Sequence, residues 1–155
     1  MEDYLLALIL LLPLLGGIIA YTIPSKSGII ASIFLSLTTI LAGYYLSFVQ
    51  GTLWMFQFEW LPGFVMGFAV DRSSAVLILL VSMISFLVHL FSIFYLSGDG
   101  SKNRYYLKLG FFTFSMLGLL MSDHLILLFI FWELVGFSSY MSVSYTHLRA
   151  HETSL

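Results

Sequence analysis

The sequence contains no cysteine. That excludes a disulfide framework, a thiolate metal site and a cysteine-ligated cluster, and it leaves the redox compartment unread. Charge is nearly as scarce, at 9% of residues against about 25% in a soluble domain. So few charges cannot cover a water-facing surface. Net charge is −2 without a basic patch or tail, which argues against nucleic acid as a partner. No glycine-rich phosphate loop and no Ser-His-Asp set can be assembled, so a nucleotide cofactor or soluble substrate has no obvious seat, and no bound metal or cofactor is expected. A positive n-region is also missing. Met1-Glu2-Asp3-Tyr4 is acidic and runs straight into apolar sequence, so the first helix is expected to be retained rather than cleaved as a signal.

What is present is apolar: 60% of residues are hydrophobic and the mean hydropathy is +1.01. The chain is expected to be an all-α membrane protein of about five transmembrane helices with a short surface β-hairpin between helices 2 and 3. About 20 residues at ~1.5 Å rise match a ~30 Å hydrocarbon core. Helix 1 is expected over about 4–23, with a local kink at Pro13 and Gly16-Gly17, and Pro24 to Gly28 ends it in a loop. Helix 2 covers about 29–49, helix 3 about 74–96, helix 4 about 105–121 and helix 5 about 124–142. Asp71-Arg72-Ser73-Ser74 suits the start of helix 3, where an acid and serines cap free amides. Ser122-Asp123 is so short a link that helices 4 and 5 must be antiparallel neighbours, with Asp123 and His124 expected to cap helix 5.

Between helices 2 and 3 the period changes. Trp54, Phe56, Phe58 and Trp60 alternate with Met55, Gln57 and Glu59; Leu61-Pro62-Gly63 turns; Phe64, Met66, Phe68 and Val70 alternate again. Period two on both sides of a Pro-Gly turn predicts a hairpin over about 53–70. Open strands cannot face hydrocarbon, so the hairpin is placed at the membrane surface with its aromatic face down on the helix ends. The competing reading is a short amphipathic or re-entrant helix. Five spans with the N-terminus outside put Lys26, Lys102, Arg104 and Lys108 on the inner side and only Arg72 on the outer side. Four against one satisfies the positive-inside rule.

The tail departs from this plan. From Ser142 to Leu155 the apolar period stops in mid-helix, and charged and histidine residues arrive without a turn or cap. It is read as resembling translated adapter sequence at the end of an assembled fragment, so 142–155 is expected to be non-native and to carry no function. A natural cytoplasmic tail is the other reading. His147 and His151 stand at a metal-ligand spacing that is chance under the first reading.

Glu133 is the one acid inside the helix 5 run, about nine residues in, or roughly 14 Å from the outer edge. Acids at that depth are costly and usually mark an ion or proton path. Hydrocarbon favours the neutral acid and a nearby cation favours the carboxylate, so an acid between the two influences can take and release a proton. The bland reading is a structural acid bonded to a neighbouring hydroxyl. His89, roughly 10 Å from the inner end of helix 3, is either a proton relay or a neutral core histidine.

Leu127-Leu128-Phe129-Ile130-Phe131-Trp132-Glu133-Leu134-Val135-Gly136-Phe137-Ser138-Ser139-Tyr140 closely resembles the helix 5 signature of the large antiporter-like subunit of respiratory complex I, subunit L in bacteria and subunit 5 in mitochondria. Phe68 to Ser74, leading to Phe86-Leu87-Val88-His89 and on to Leu96, is similar to that family's hairpin exit and third helix, although Arg72 stands where a small residue is usual. The resemblance covers roughly 1–141 and is weakest in helices 1 and 2. It implies the N-terminal part of an antiporter-like domain in a proton-translocating membrane-arm subunit of NADH:quinone oxidoreductase. It implies other membrane-arm subunits as partners, NADH and quinone used elsewhere in the complex, no redox centre in this chain, and a bacterial inner membrane. Glu133 matches the family's essential glutamate, thought to pair with a lysine on a later helix, and His89 occupies a matching position. A truncated chain is expected to be inactive alone. Multisubunit cation/proton antiporters share the ancestry and are the alternative.

Overall fold

The structure is a computed structural model. It describes the backbone of residues 2–96 and 100–152, and the side chains of 4–141 apart from 53, 55, 60, 61, 64 and 97–99. His147 and His151 therefore lie outside the described side chains.

Five helices and one hairpin make up these residues. In order they are α1 (Glu2–Thr22), a 3-10 turn (Pro24–Lys26), α2 (Ser27–Phe48), β1 (Leu53–Leu61), β2 (Phe64–Val70), α3 (Arg72–Tyr95), α4 (Lys102–Met121) and α5 (Leu125–Glu152). α1, α2 and α3 are each long and apolar enough to cross a membrane. Leu125–Met141 of α5 is a shorter apolar stretch, and α4 is the least apolar of the five. Helices of this length and hydropathy make the chain an integral membrane protein.

α4 is the hub. It packs against α1, α2, α3, α5 and β2, whereas α5 leans on α4 at the edge of the bundle. The core is continuous at the hairpin end: Leu6, Ile9 and Leu10 of α1 meet Ala42 and Tyr45 of α2, Ala75 and Ile78 of α3, and Leu117 and Met121 of α4. At the opposite end a smaller cluster joins Ala20, Ala31 and Tyr106.

α1 continues as a helix through Pro13. Its small residues let two backbones touch. A Cβ on Gly110 would stand 2.5 Å from the Pro13 carbonyl oxygen and 3.2 Å from the Gly17 Cα. Glycine at this crossing is required by space, as in close-packed membrane helices generally.

β1 and β2 pair antiparallel around the Pro62-Gly63 turn, with Gly63 at φ 82. The hairpin is as expected, but its aromatic face is not. The register slips between Met55 and Phe58, where Phe56 takes φ 52. A left-handed backbone costs a residue with a Cβ about 1–2 kcal/mol, and the extra residue of a bulge changes the phase of the strand. Trp54 then pairs with Ala69 while Phe58 pairs with Met66, so the two aromatics fall on opposite faces. Trp54, Phe56 and Phe58 are 52%, 62% and 47% exposed. The face laid on the helices belongs to β2: Met66 and Val70 are buried, and Phe68 stacks edge-on against Phe131.

The helix junctions show one agreement and one correction. Asp71 caps α3, its Oδ1 accepting from Ser74 N at 2.8 Å. Asp123 does not cap α5. Its Oδ1 accepts from Gly67 N at 2.9 Å and its own N–H donates to Gly67 O at 3.3 Å, which pins β2 to the α4–α5 link. Phe68 and Ser122 form an isolated bridge beside it. His124 takes the capping role, with Nδ1 accepting from Ile126 N at 3.2 Å. Gly67 offers a buried amide that sequence spacing does not reveal, and a carboxylate satisfies it better than a helix end already served by an imidazole.

Candidate functional site

Glu133 stands eight residues from the start of α5, roughly 12 Å along the axis. It is the one ionisable side chain in Leu125–Met141 besides the phenol of Tyr140. Its face of α5 points away from α4. Phe131 and Ser138 are buried against the bundle, whereas Trp132, Glu133, Gly136, Phe137 and Tyr140 are exposed. A Cβ on Gly136 would meet nothing within 4 Å. Glu133 and Gly136 thus form an open, smooth stretch on one helix face, the geometry that accepts another helix.

His89 has the opposite setting. It is 1% exposed, on the α3 face turned to α2 and α4. Its Nδ1 lies 2.8 Å from Ser85 O. A carbonyl only accepts, so Nδ1 carries a proton. Ser82, Ser85, His89 and Ser92 follow one another at spacings of three and four, and all are buried. Ser85 Oγ shares a 2.9 Å hydrogen bond with Thr113 Oγ1 of α4, and Ser92 Oγ lies 3.0 Å from Tyr105 Oη. The Tyr106 ring lies beside the imidazole, centroids 5.8 Å apart. Three of these hydroxyls also donate to their own helix, Ser82 to Leu79 O at 2.9 Å, Ser92 to Val88 O at 2.7 Å and Thr113 to Leu109 O at 3.0 Å.

The structure does not bring His89 and Glu133 together. α3 and α5 each pack against α4 and have no substantial contact with one another. Two polar features therefore coexist: a buried hydroxyl-imidazole stripe on α3 and α4, and an open carboxylate on α5. The serine spacing on α3 is visible in the sequence. The inclusion of Thr113, Tyr105 and Tyr106 is not, because it depends on how α4 is rotated against α3.

At the other end of α5, Lys108 Nζ donates to Met141 O at 2.7 Å. A groove of about 450 Å³ between α1, α4 and α5 opens there, with Arg104 and Lys108 at its rim and Phe111 and Phe137 in its walls. Among the described residues no group of three His, Asp or Glu side chains could hold a metal ion.

The model for the N-terminus of NADH-ubiquinone oxidoreductase (complex I) chain 5 matches residues 61–106, which is the hairpin turn, all of β2 and α3, and the first turn of α4. The chain resembles the subunit L family of complex I. NADH-quinone oxidoreductase subunit L of Campylobacter jejuni is 38% identical over 101 residues, 65% of this chain and 17% of that protein. F(420)H(2) dehydrogenase subunit L of Methanosarcina mazei is 35% identical over 88 residues, covering 57% and 13%. NADH-ubiquinone oxidoreductase chain 5 of Marchantia polymorpha is 38% identical over 91 residues, covering 57% and 14%. The chain thus spans 13–17% of the length of these relatives. Among solved structures, a chain of the membrane-bound sulfane sulfur reductase, an archaeal respiratory membrane complex, superposes with a TM-score of 0.70 at 19% identity. That match covers 86% of this chain and 22% of the other, and it shows a shared fold.

Proposed function

We propose that this chain is the N-terminal part of a proton-translocating membrane-arm subunit of an NADH:quinone oxidoreductase, working with other membrane-arm subunits to couple quinone reduction to proton transport. It lies in a bacterial inner membrane with its N-terminus outside. Lys26, Lys102, Arg104 and Lys108 at the inner ends of the helices support that orientation. NADH and quinone are handled elsewhere in the complex, and this chain contributes no redox centre of its own. The observation that carries the reading is Glu133: an acid near the middle of an apolar helix, presented on an open face beside Gly136.

Chemically, the acid is the movable-proton group. A cation brought against it from another part of the parent protein stabilises the carboxylate, and withdrawal of that cation favours the neutral acid. Alternation between the two states moves a proton on and off Glu133. His89 acts beside this as a relay on a separate route, its Nδ1–H held by Ser85 O.

The test is Glu133→Gln in the complete parent complex. The amide keeps the shape and cannot titrate. Assembly at the normal level with most proton pumping lost is the expected result, and it also excludes a purely scaffolding role. Pumping at the wild-type level sinks the assignment. The relatives named above are oxidoreductase and dehydrogenase subunits, which favours this reading over a cation/proton antiporter without redox coupling.

A further inference from the structure

The buried stripe around His89 ends in two hydroxyls that the described structure leaves without a hydrogen-bond partner: Tyr106 Oη and Ser32 Oγ. Tyr106 is 1% exposed and Ser32 6%. Buried polar atoms in native proteins are nearly always satisfied, and where side chains do not serve, ordered water does.

Geometry brings the two hydroxyls to one place. A Cβ on Gly28 would lie 2.8 Å from Tyr106 Oη and 3.0 Å from Ile93 Cγ1, so the phenol tip rests on α2 at Gly28, against the last turns of α3. Ser32 is four residues on from Gly28 and shares its helix face, with Ala31 packed on the Tyr106 cluster. The two hydroxyls do not bond to each other or to any described side chain, so a bridging water is the remaining way to satisfy both. His89 is one turn back from Ile93 on α3, its ring 5.8 Å from that of Tyr106.

We propose that an ordered water occupies the α2–α3–α4 crossing, held by Tyr106 Oη and Ser32 Oγ. Two hydroxyls supply both donors and acceptors, within the usual two to four contacts of a buried water. The small residue at 28 is what leaves room for the phenol to reach the site. The water joins α2 to the hydroxyl-imidazole stripe, which otherwise runs only between α3 and α4. The site is independent of Glu133, and it stands on the two buried hydroxyls whether or not the neighbouring histidine relays protons.

The experiment is a structure of the complete parent complex at a resolution that shows ordered waters. Density within about 3.2 Å of both Tyr106 Oη and Ser32 Oγ is expected. In Tyr106→Phe that density should fall to background, while waters elsewhere persist. If Tyr106→Phe does not assemble, Ser32→Ala serves the same purpose. The proposal is overturned if the wild-type site is empty where other waters are visible. It is also overturned if the two hydroxyls bond directly to each other, or if the density survives the loss of either hydroxyl.

Discussion

The clamp between Asp123 and Gly67 is the contact whose removal is easiest to quantify. Asp123→Ala deletes the carboxylate that receives the Gly67 N–H at 2.9 Å and leaves a buried amide unsatisfied. A hydrogen bond to a charged group is worth about 1.5–3 kcal/mol, and Asp123 itself is exposed, so screening takes the figure to the lower half of that range. A loss of about 2 kcal/mol makes local opening roughly 30-fold more frequent, at about 1.4 kcal/mol per factor of ten. The rest of the attachment, Asp123 N to Gly67 O and the Phe68–Phe131 ring contact, survives the substitution. The bundle should therefore stay folded while the hairpin loosens. Amide hydrogen exchange on the complete parent protein, read over 64–70 and compared with α1 and α3, gives the measurement. Exchange should accelerate by roughly 30-fold in β2 and hardly at all in the helices. Asp123→Asn keeps an acceptor oxygen and should restore about half the protection in free-energy terms, since charge assistance roughly doubles a hydrogen bond. Unchanged exchange in β2 of Asp123→Ala would show that the clamp does not hold the hairpin.

Gly110→Ala forces the α1 and α4 backbones apart at Pro13 and Gly17, and overpacking of this kind costs about 1–3 kcal/mol; it should lower the temperature of thermal inactivation and the yield of assembled protein. Asp71→Ala removes the α3 cap and should cost about 1 kcal/mol in the same assay. Hydrogen bonds from Ser74 hold the Asp71 carboxyl below its ordinary value. A lowered folded value means that the cap contributes fully above about pH 4 and is lost as pH falls through the folded value, so Asp71→Asn should flatten only that acidic part of a stability-against-pH curve. Glu133→Gln should leave assembly intact and remove most proton transport, as measured by dye quenching in vesicles.

The helices are legible in the sequence because apolar runs of about 20 residues report on the membrane directly. The hairpin is legible from its period, since side chains that alternate strictly on both sides of Leu61-Pro62-Gly63 fit a pleated strand and not a 3.6-residue turn. Its facing is not, because one residue at φ 52 shifts the phase of β1 and no residue type announces that at Phe56. The expectation for Asp123 fails for a related reason. A cap is a local rule, and the competing amide at Gly67 is 56 residues away in sequence. Glu133 stands out by charge alone, and His89 by polarity, but their separation by α4 requires the packing itself.

The central position of α4 bears on how the chain enters the bilayer. α1, α2 and α3 carry enough apolar surface to partition by themselves. α4 does not rank with them, yet it touches every other helix and buries Thr113 and Ser115. Its residence in the membrane therefore rests on partners that the ribosome has already delivered. The groove prepared by Pro13 and Gly17 of α1 must stay open until 110 emerges, and α5 must wait for α4 to dock. Biogenesis thus has a built-in order, and a lesion in the first helix should be felt as failure of the fourth to insert.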